Sequence, residues 1–318
     1  MIAASAGEMK NMTKEEIINR INVLKKEKNA ILLAHLYTLP EVQDVADYLG
    51  DSLGLSKLAG KTDADMIVFC GVQFMAETAA VISPDKTVLS PAPNAGCSLA
   101  DSVTGEALRR WKEENPDGLV VSYVNTTAEV KAYTDYCCTS ANALHVVESL
   151  PADKKILFGP DKNLGAWIMK KTGREMELWT GCCCVHDVIT PAMIEATLMA
   201  EPEADILIHP EAQCSSAEEI LNNDRVYFYS TSGMLDHVKK SSKKRFVIAT
   251  ELGIMHQLKT NFPGKVFVPL NEGLICHDMK KVTLEKVLDC LENGTGRVEI
   301  AQEILERAAL PIQRMMEL

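Results

Sequence analysis

Three observations predict an α/β fold of three similar units, each with a short parallel sheet. A strand–polar loop–helix grammar recurs three times, each recurrence opens on a strand whose end carries polar residues two apart, and each closes on a cysteine in a glycine-containing loop. At 318 residues the chain exceeds the usual size of one hydrophobic core, so division into packed units is the expectation. The predicted spans are 1–105 (a leading helix and a first unit ending at Cys97), 106–190 (a second ending at Cys183) and 191–318 (a third ending at Cys276, plus C-terminal helices). The units are expected around a pseudo-threefold axis, with the loops at their strand ends, and a metal cluster, at the centre.

The elements justify this in order. Thr13 three residues before Glu16 is a capping box, and Ile17, Ile18, Ile21 and Leu24 keep helical spacing behind it, so a helix is predicted over 13–29. The apolar run 30–34 then reads as a strand ending in His35-Leu36-Tyr37, with Pro40 opening a helix. The same pattern returns at 119–122, ending in Tyr123-Val124-Asn125, and at 205–208, ending in His209-Pro210-Glu211. Serines stand 17 residues past the first two starts, at Ser52 and Ser140, and the third unit offers Ser230-Thr231-Ser232. A second apolar strand follows at 66–69, 156–158 and 246–249, then a helical stretch and a third strand. The cysteines lie 62, 60 and 67 residues beyond His35, Tyr123 and His209, a regularity that generic α/β self-similarity does not supply. Residues 282–318 add helix without such a polar set and read as a structural wrap.

Charge and composition remove several classes of function. With 33 basic against 44 acidic side chains the net charge is -11, the wrong sign for a protein dominated by contacts to phosphate backbones. Nucleic acid is therefore not an expected partner. No apolar run reaches the ~18 residues of a membrane span, and the first thirty residues lack a basic segment followed by a hydrophobic one, so a cytoplasmic location without membrane partners is expected. Ten cysteines, including the runs Cys137-Cys138 and Cys182-Cys183-Cys184, fit reduced thiols or metal ligands better than a secreted disulfide framework. Cys70, Cys214 and Cys290 read as small buried hydrophobes.

Three convergent cysteines can hold zinc, a transient disulfide with a spare thiol, or an iron–sulfur cluster. Structural zinc uses four ligands with local Cys-x-x-Cys pairs, which are absent from this spacing. A four-iron cluster on three cysteines keeps one iron open, a Lewis acid for carbonyl and carboxylate oxygens. Around that centre, His35, Tyr37, Tyr123, Asn125, His209 and Glu211 suit proton transfer and orientation. The hydroxyls of Ser52, Ser140, Ser230 and Thr231 precede helical stretches, where they either cap the helix or bind phosphate or carboxylate.

Longer motifs are similar to those of the quinolinate synthase family from about residue 26 to about 291. They include Pro40-Glu41-Val42-Gln43-Asp44-Val45-Ala46-Asp47, Gly50-Asp51-Ser52-Leu53, Phe74-Met75-Ala76-Glu77-Thr78, Gly96-Cys97-Ser98-Leu99-Ala100-Asp101 and Ser122-Tyr123-Val124-Asn125. Further on come Cys138-Thr139-Ser140-Ala141-Asn142-Ala143, Gly159-Pro160-Asp161-Lys162-Asn163-Leu164, Gly181-Cys182-Cys183-Cys184-Val185-His186, His209-Pro210-Glu211 and Ser230-Thr231-Ser232. The resemblance implies condensation of iminoaspartate with dihydroxyacetone phosphate to quinolinate, phosphate and water in NAD biosynthesis, on a [4Fe–4S] cluster with one open iron. An enzyme that produces iminoaspartate is a partner consistent with it.

By the same resemblance the cluster ligands are Cys97, Cys183 and Cys276, with the family's Gly-x-Cys-x-x-His spacing selecting Cys183 among its neighbours. Glu211 is implied as an acid/base residue. Tyr37, Tyr123, Asn125, His35, His186 and His209 would contact or protonate intermediates, and Ser52, Ser140, Ser230 and Thr231 would hold phosphate or carboxylates. Two positions depart from the family pattern: Leu36 replaces an Asn and Ala212 a Cys. Strand alternation places Leu36 on the face opposite His35 and Tyr37. The alternatives are another iron–sulfur hydro-lyase acting on a small acid, separated by substrate-resolved assays, and a non-catalytic cluster sensor, which would tolerate loss of Glu211.

Overall fold

A computed structural model describes residues 12–318. The first eleven residues of the span predicted as 1–105 lie outside the described residues. The leading helix α1 (Lys14–Glu27) starts on the expected capping box: Thr13 Oγ1 accepts the Glu16 N–H, and the Glu16 carboxylate accepts the Thr13 N–H at 2.7 Å. Ile17, Ile21 and Leu24 bury one stripe of it, the i, i+4, i+7 face anticipated from spacing.

Each unit is a four-stranded, wholly parallel sheet with helices between its strands. The first contains β1 (Ala30–His35), α2 (Pro40–Val45), β2 (Tyr48–Gly50), α3 (Ser52–Ala59), β3 (Met66–Cys70), α4 (Gln73–Ile82) and β4 (Thr87–Leu89). In the second, α5 (Gly105–Glu114) leads to β5 (Leu119–Tyr123), α6 (Ala128–Lys131), β6 (Tyr136–Cys138), α7 (Ala143–Ser149), β7 (Ile156–Gly159), α8 (Lys162–Thr172) and β8 (Glu177–Leu178). The third runs α9 (Pro191–Ala200), β9 (Asp205–Ile208), α10 (Glu218–Leu221), β10 (Val226–Phe228), α11 (Thr231–Lys240), β11 (Arg245–Ala249), α12 (Ile254–Asn261) and β12 (Val266–Pro269). Strand orders are β2-β1-β3-β4, β6-β5-β7-β8 and β10-β9-β11-β12, one topology three times. No described helix is long and apolar enough to cross a membrane.

Sequence patterning predicts three strands per unit, and the structure adds a short edge strand to each. β2, β6 and β10 have three residues apiece, too few to show a period, and exist because they pair with the unit's first strand. Their registers explain the recurring serine offset. His35 lies beside Gly50, Tyr123 beside Cys138 and Ile208 beside Phe228, so the polar strand end and the hydroxyl-bearing turn emerge together at one C-terminal sheet edge.

The tail wraps as expected. Helix α13 (Leu284–Asn293) lies against α1, where Arg20 Nε meets Glu292 Oε1 at 2.8 Å. Helix α14 (Gln302–Glu317) returns over β6 and α6 of the second unit and α4 of the first. Asn142 Nδ2 donates to Met315 O at 2.8 Å and Arg314 donates to Asp135 O at 2.7 Å, so the last helix is pinned to the second unit by backbone carbonyls.

Lys131 is fully buried, and its ammonium donates to the carbonyls of Val124 and Thr126 on either side of Asn125. Burial pulls its pKa down to about 8, although Cys137 and Glu77 favour the charged form. A Lys131→Met substitution strands the Thr126 carbonyl and leaves the Val124 carbonyl only its bond from the Thr126 N–H, while relieving an ion of its desolvation. A net loss of about 2 kcal/mol is expected. It should read as a lower urea midpoint at unchanged slope.

Candidate active site

The C-terminal ends of the three first strands open on one cavity. It is lined by His35 and Tyr37 from the first unit, Tyr123 and Asn125 from the second, and His209 and Glu211 from the third. Ser52, Ser140, Thr231, Cys97, Cys183, Cys276 and His186 line it too. Ser230 alone among the sequence-predicted residues stands back: it caps α11 by accepting the Gly233 N–H, and its hydroxyl donates to Asp51 Oδ2 at 2.9 Å. Ser52 is not a cap; Asp51 takes that role on α3 through the Gly54 N–H, which leaves the Ser52 side chain on the cavity wall. Leu36 and Ala212 are buried and line no part of the cavity, as alternation required of Leu36.

The strand-end grammar has a shared physical basis in the first and third units. His35 Nδ1 accepts the N–H of Tyr37 at 3.2 Å, and His209 Nδ1 accepts that of Glu211 at 3.4 Å, two residues on in each case. This network assigns the neutral-ring proton to Nε2, and His209 Nε2 meets Ser140 Oγ at 3.2 Å. Burial pushes His35 down to about 4 and His209 down to about 3, with Asp51 and Glu211 opposing the shift, so both rings are uncharged N–H donors at neutral pH.

Those two depressed values dictate a pH effect on stability. Between the folded-state pKa and the unfolded value near 6.5, the unfolded chain binds more protons, so stability rises with pH across this window and is lost as pH falls through it. The stability of cluster-free protein should fall by up to about 1.4 kcal/mol per pH unit per histidine as pH drops from about 6.5 to 4.5. His35→Gln should remove about half of that slope.

Hydroxyls and rings from all three units form a directed chain ending on Glu211. Thr231 Oγ1 donates to the Tyr37 phenol at 3.0 Å, and that phenol meets Thr250 Oγ1 at 2.6 Å. Thr250 lies 2.8 Å from His186 Nε2, and His186 Nδ1 lies 2.7 Å from Glu211 Oε2. The other carboxylate oxygen accepts the Tyr123 hydroxyl. One consistent assignment has Tyr37 donating to Thr250, Thr250 to His186, and His186 Nδ1–H to Glu211. Burial raises Tyr37 and Tyr123 well above the ordinary phenol range, keeping both as donors. For Glu211 burial favours the acid, but the nearby imidazoles His209 and His186, together with hydrogen bonds from His186 and Tyr123, hold it below the usual carboxylate range. With His209 neutral, the hydrogen bonds from His186 and Tyr123 are the part that persists at pH 7. The Asn125 Oδ1 is buried without a partner, a polar atom that a ligand would satisfy.

The three sulfurs share a local geometry. Backbone N–H groups of Leu99 and Ala100 point at Cys97, those of Val185 and His186 at Cys183, and those of Asp278 and Met279 at Cys276, at positions two and three past the cysteine each time. Such paired donors suit a thiolate. Burial outweighs them in the free chain, pushing Cys97 up to about 12, Cys276 to about 11 and Cys183 well above the ordinary thiol range. A bound metal would be what drives deprotonation. All ten cysteines are free thiols. Cys183, His186 and Glu211 also bring donor atoms within 4.8 Å of one another, a set that could hold a metal ion. The loops themselves are clamped together: Ser98 Oγ donates to Cys182 O at 3.1 Å and accepts the Cys184 N–H at 3.3 Å.

Sequence reasoning missed Thr250 and Glu251, and also Asp161. Asp161 and Glu251 both stand two residues past the second strand of their units, where an acid directly behind an apolar run was the available signal. Asp161 caps α8 through the Leu164 N–H at 2.7 Å, and burial and the Glu211 charge raise its pKa well above normal. Val72 is the first unit's equivalent and lines the cavity with Phe74 and Met75, an apolar wall that excludes water.

Comparison with known proteins adds a family. The family described as NadA, Quinolinate synthetase A protein, matches residues 19–317. The quinolinate synthase of Pyrobaculum aerophilum is 50% identical over 310 residues, covering 96% of this chain and 99% of its own. That of Chlorobaculum tepidum is 45% identical over 317 residues (98% and 97%), and that of Thermus thermophilus is 48% identical over 308 residues (97% and 99%).

Proposed function

This chain belongs to the quinolinate synthase family, and we propose that it condenses iminoaspartate with dihydroxyacetone phosphate to quinolinate, releasing phosphate and water. We further propose that Cys97, Cys183 and Cys276 hold a [4Fe–4S] cluster. The observation that carries this reading is the threefold pattern of paired backbone N–H groups around three thiols lining one cavity. When bound, such a cluster supplies a Lewis-acidic iron that polarises carboxylate or carbonyl oxygens.

The chain's own residues account for binding and proton traffic. Ser52 at the first turn of α3 and Ser140 ahead of α7 offer hydroxyls to a phosphate or carboxylate, and Thr231, whose own proton goes to Tyr37, brings the N-terminus of α11 to the same cavity. His35 presents an Nε2–H donor to substrate oxygens and His209 gives its Nε2–H to Ser140 Oγ, which frees the serine proton for substrate, both rings being kept uncharged by burial. Ring closure requires removal of carbon- and nitrogen-bound protons and protonation of departing oxygens. Glu211, ionised and bonded to Tyr123 and His186, accepts a substrate proton and returns it to a departing oxygen, while the Tyr37–Thr250–His186 donors, all directed at its carboxylate, hold it in place. Asn125 orients the substrate through its unpartnered oxygen.

A single ion on Cys183, His186 and Glu211 is the second reading, favoured by their mutual approach within 4.8 Å. Anaerobic purification followed by iron, sulfide and quinolinate measurement decides between them. Iron and sulfide in near-equal amounts, with quinolinate formed from the two substrates, is the expected result. Metal without sulfide transfers the assignment to the mononuclear site, and absence of quinolinate overturns the activity.

A further inference from the structure

The cavity wall holds one ion pair to which the proposed chemistry gives no part. Glu251, two residues past β11, is fully buried. Its Oε2 accepts the Gly253 N–H at 2.6 Å, and its Oε1 accepts the Cys276 N–H at 3.1 Å. The same Oε1 lies 2.8 Å from Lys280 Nζ, which donates in turn to the carbonyl oxygen of Tyr37 at 2.5 Å. We propose that Glu251 and Lys280 are a positioning pair that sets the third cysteine against the Tyr37 strand end of the first unit, coupling metal retention to the proton relay. This rests on the reading of Cys276 as a ligand.

Three observations separate this role from ordinary structural support. An ion pair with one partner fully buried, Glu251, and the other, Lys280, partly exposed is a poor source of stability, because desolvating the carboxylate offsets much of the attraction. What the charges supply is direction: each Glu251 oxygen selects one backbone amide, and the ammonium selects one carbonyl.

The second is that the backbones meet here without room for adjustment. A Cβ on Gly253 would lie 2.7 Å from Tyr37 Cα and 2.8 Å from Leu36 O. Gln43 Nε2 fastens the same junction, lying 2.9 Å from Leu36 O, 3.0 Å from Thr38 O and 3.0 Å from Gly253 O. A shift of the Cys276 loop would therefore be transmitted to Tyr37 rather than absorbed.

The third is that the pair breaks the repeat. Four residues past each proposed ligand stand Asp101, Asp187 and Lys280. The cation occurs only in the third unit, opposite the acid, and only that unit must dock its cysteine loop against the Tyr37 strand end.

The test compares Lys280→Met with Lys280→Arg in the full chain. In cluster-free protein, K280M should raise the iodoacetamide alkylation rate of Cys276 about tenfold while Cys97 and Cys183 stay within about twofold, since only one loop loses its tether. After anaerobic reconstitution it should retain at most about half the iron, and kcat per bound iron should fall about tenfold with little change in KM, because Tyr37 moves rather than the substrate hydroxyls. K280R should restore all three. Glu251→Gln in the K280M background, which removes both charges, should keep Cys276 exposed even though the fold tolerates it. Unchanged alkylation and iron content in K280M overturn the proposal, as does an equal rise at all three cysteines with a lowered melting temperature, which marks general loosening. If wild type binds no iron and makes no quinolinate yet K280M still selectively exposes Cys276, the pairing stands and the functional reading fails.

Discussion

Glu211→Gln is expected to lower kcat by about 10²–10⁴-fold while the protein still binds its metal and folds. Glutamine keeps the shape of the side chain but not its hydrogen-bond character. Both oxygens of Glu211 accept, one from Tyr123 and one facing His186 Nδ1. An amide can satisfy only one of these and turns an N–H donor toward the other, so either Tyr123 loses its partner or His186 must adopt the opposite tautomer. The second outcome reverses every hydroxyl between His186 and Tyr37, because each can donate only once. Single-turnover quinolinate formation separates this loss from slower product release. Turnover within a few-fold of wild type would remove Glu211 from proton transfer.

Cys97→Ala, Cys183→Ala and Cys276→Ala are each expected to abolish cluster retention on anaerobic desalting and to lower quinolinate formation by at least about 10²-fold. Cys182→Ala and Cys184→Ala provide the contrast, because they flank the same loop without the same nest. The Cys183 sulfur is half-buried on the cavity wall and receives two backbone N–H groups, whereas Cys184 is exposed and Cys182 is paired with Asp187. Those two variants should keep iron and sulfide at wild-type levels. Equal loss from all five variants would mean that the loop, rather than a particular thiol, is what matters.

Much of this architecture is legible in the order of residues. The capping box of α1, the apolar first and second strands of each unit and the wrap of residues 282–318 stand as expected, since each depends on neighbours within a few turns of chain. The recurrence also locates most of the cavity: strand ends must face one sheet edge in a parallel sheet, and the offset to the next hydroxyl is the length of one crossover. The three-residue edge strands give no such signal, because too few residues alternate. Ser230 belongs to the hydroxyl set expected at the cavity, yet its side chain is taken up by Asp51 and its own helix.

Local choices follow from the chain alone: where strands end, which residues stand there, and which thiols follow a glycine. Which polar groups meet is settled only when the three units pack. Thr250 joins Tyr37 to His186, and Lys280, paired with Glu251, reaches the Tyr37 carbonyl, across units whose approach no local pattern records. A buried hydrogen bond is satisfied by whatever lies within about 3 Å in space. For residues two hundred positions apart, such as Tyr37 and Thr250, that distance is set by how whole sheets pack and not by anything along the intervening chain.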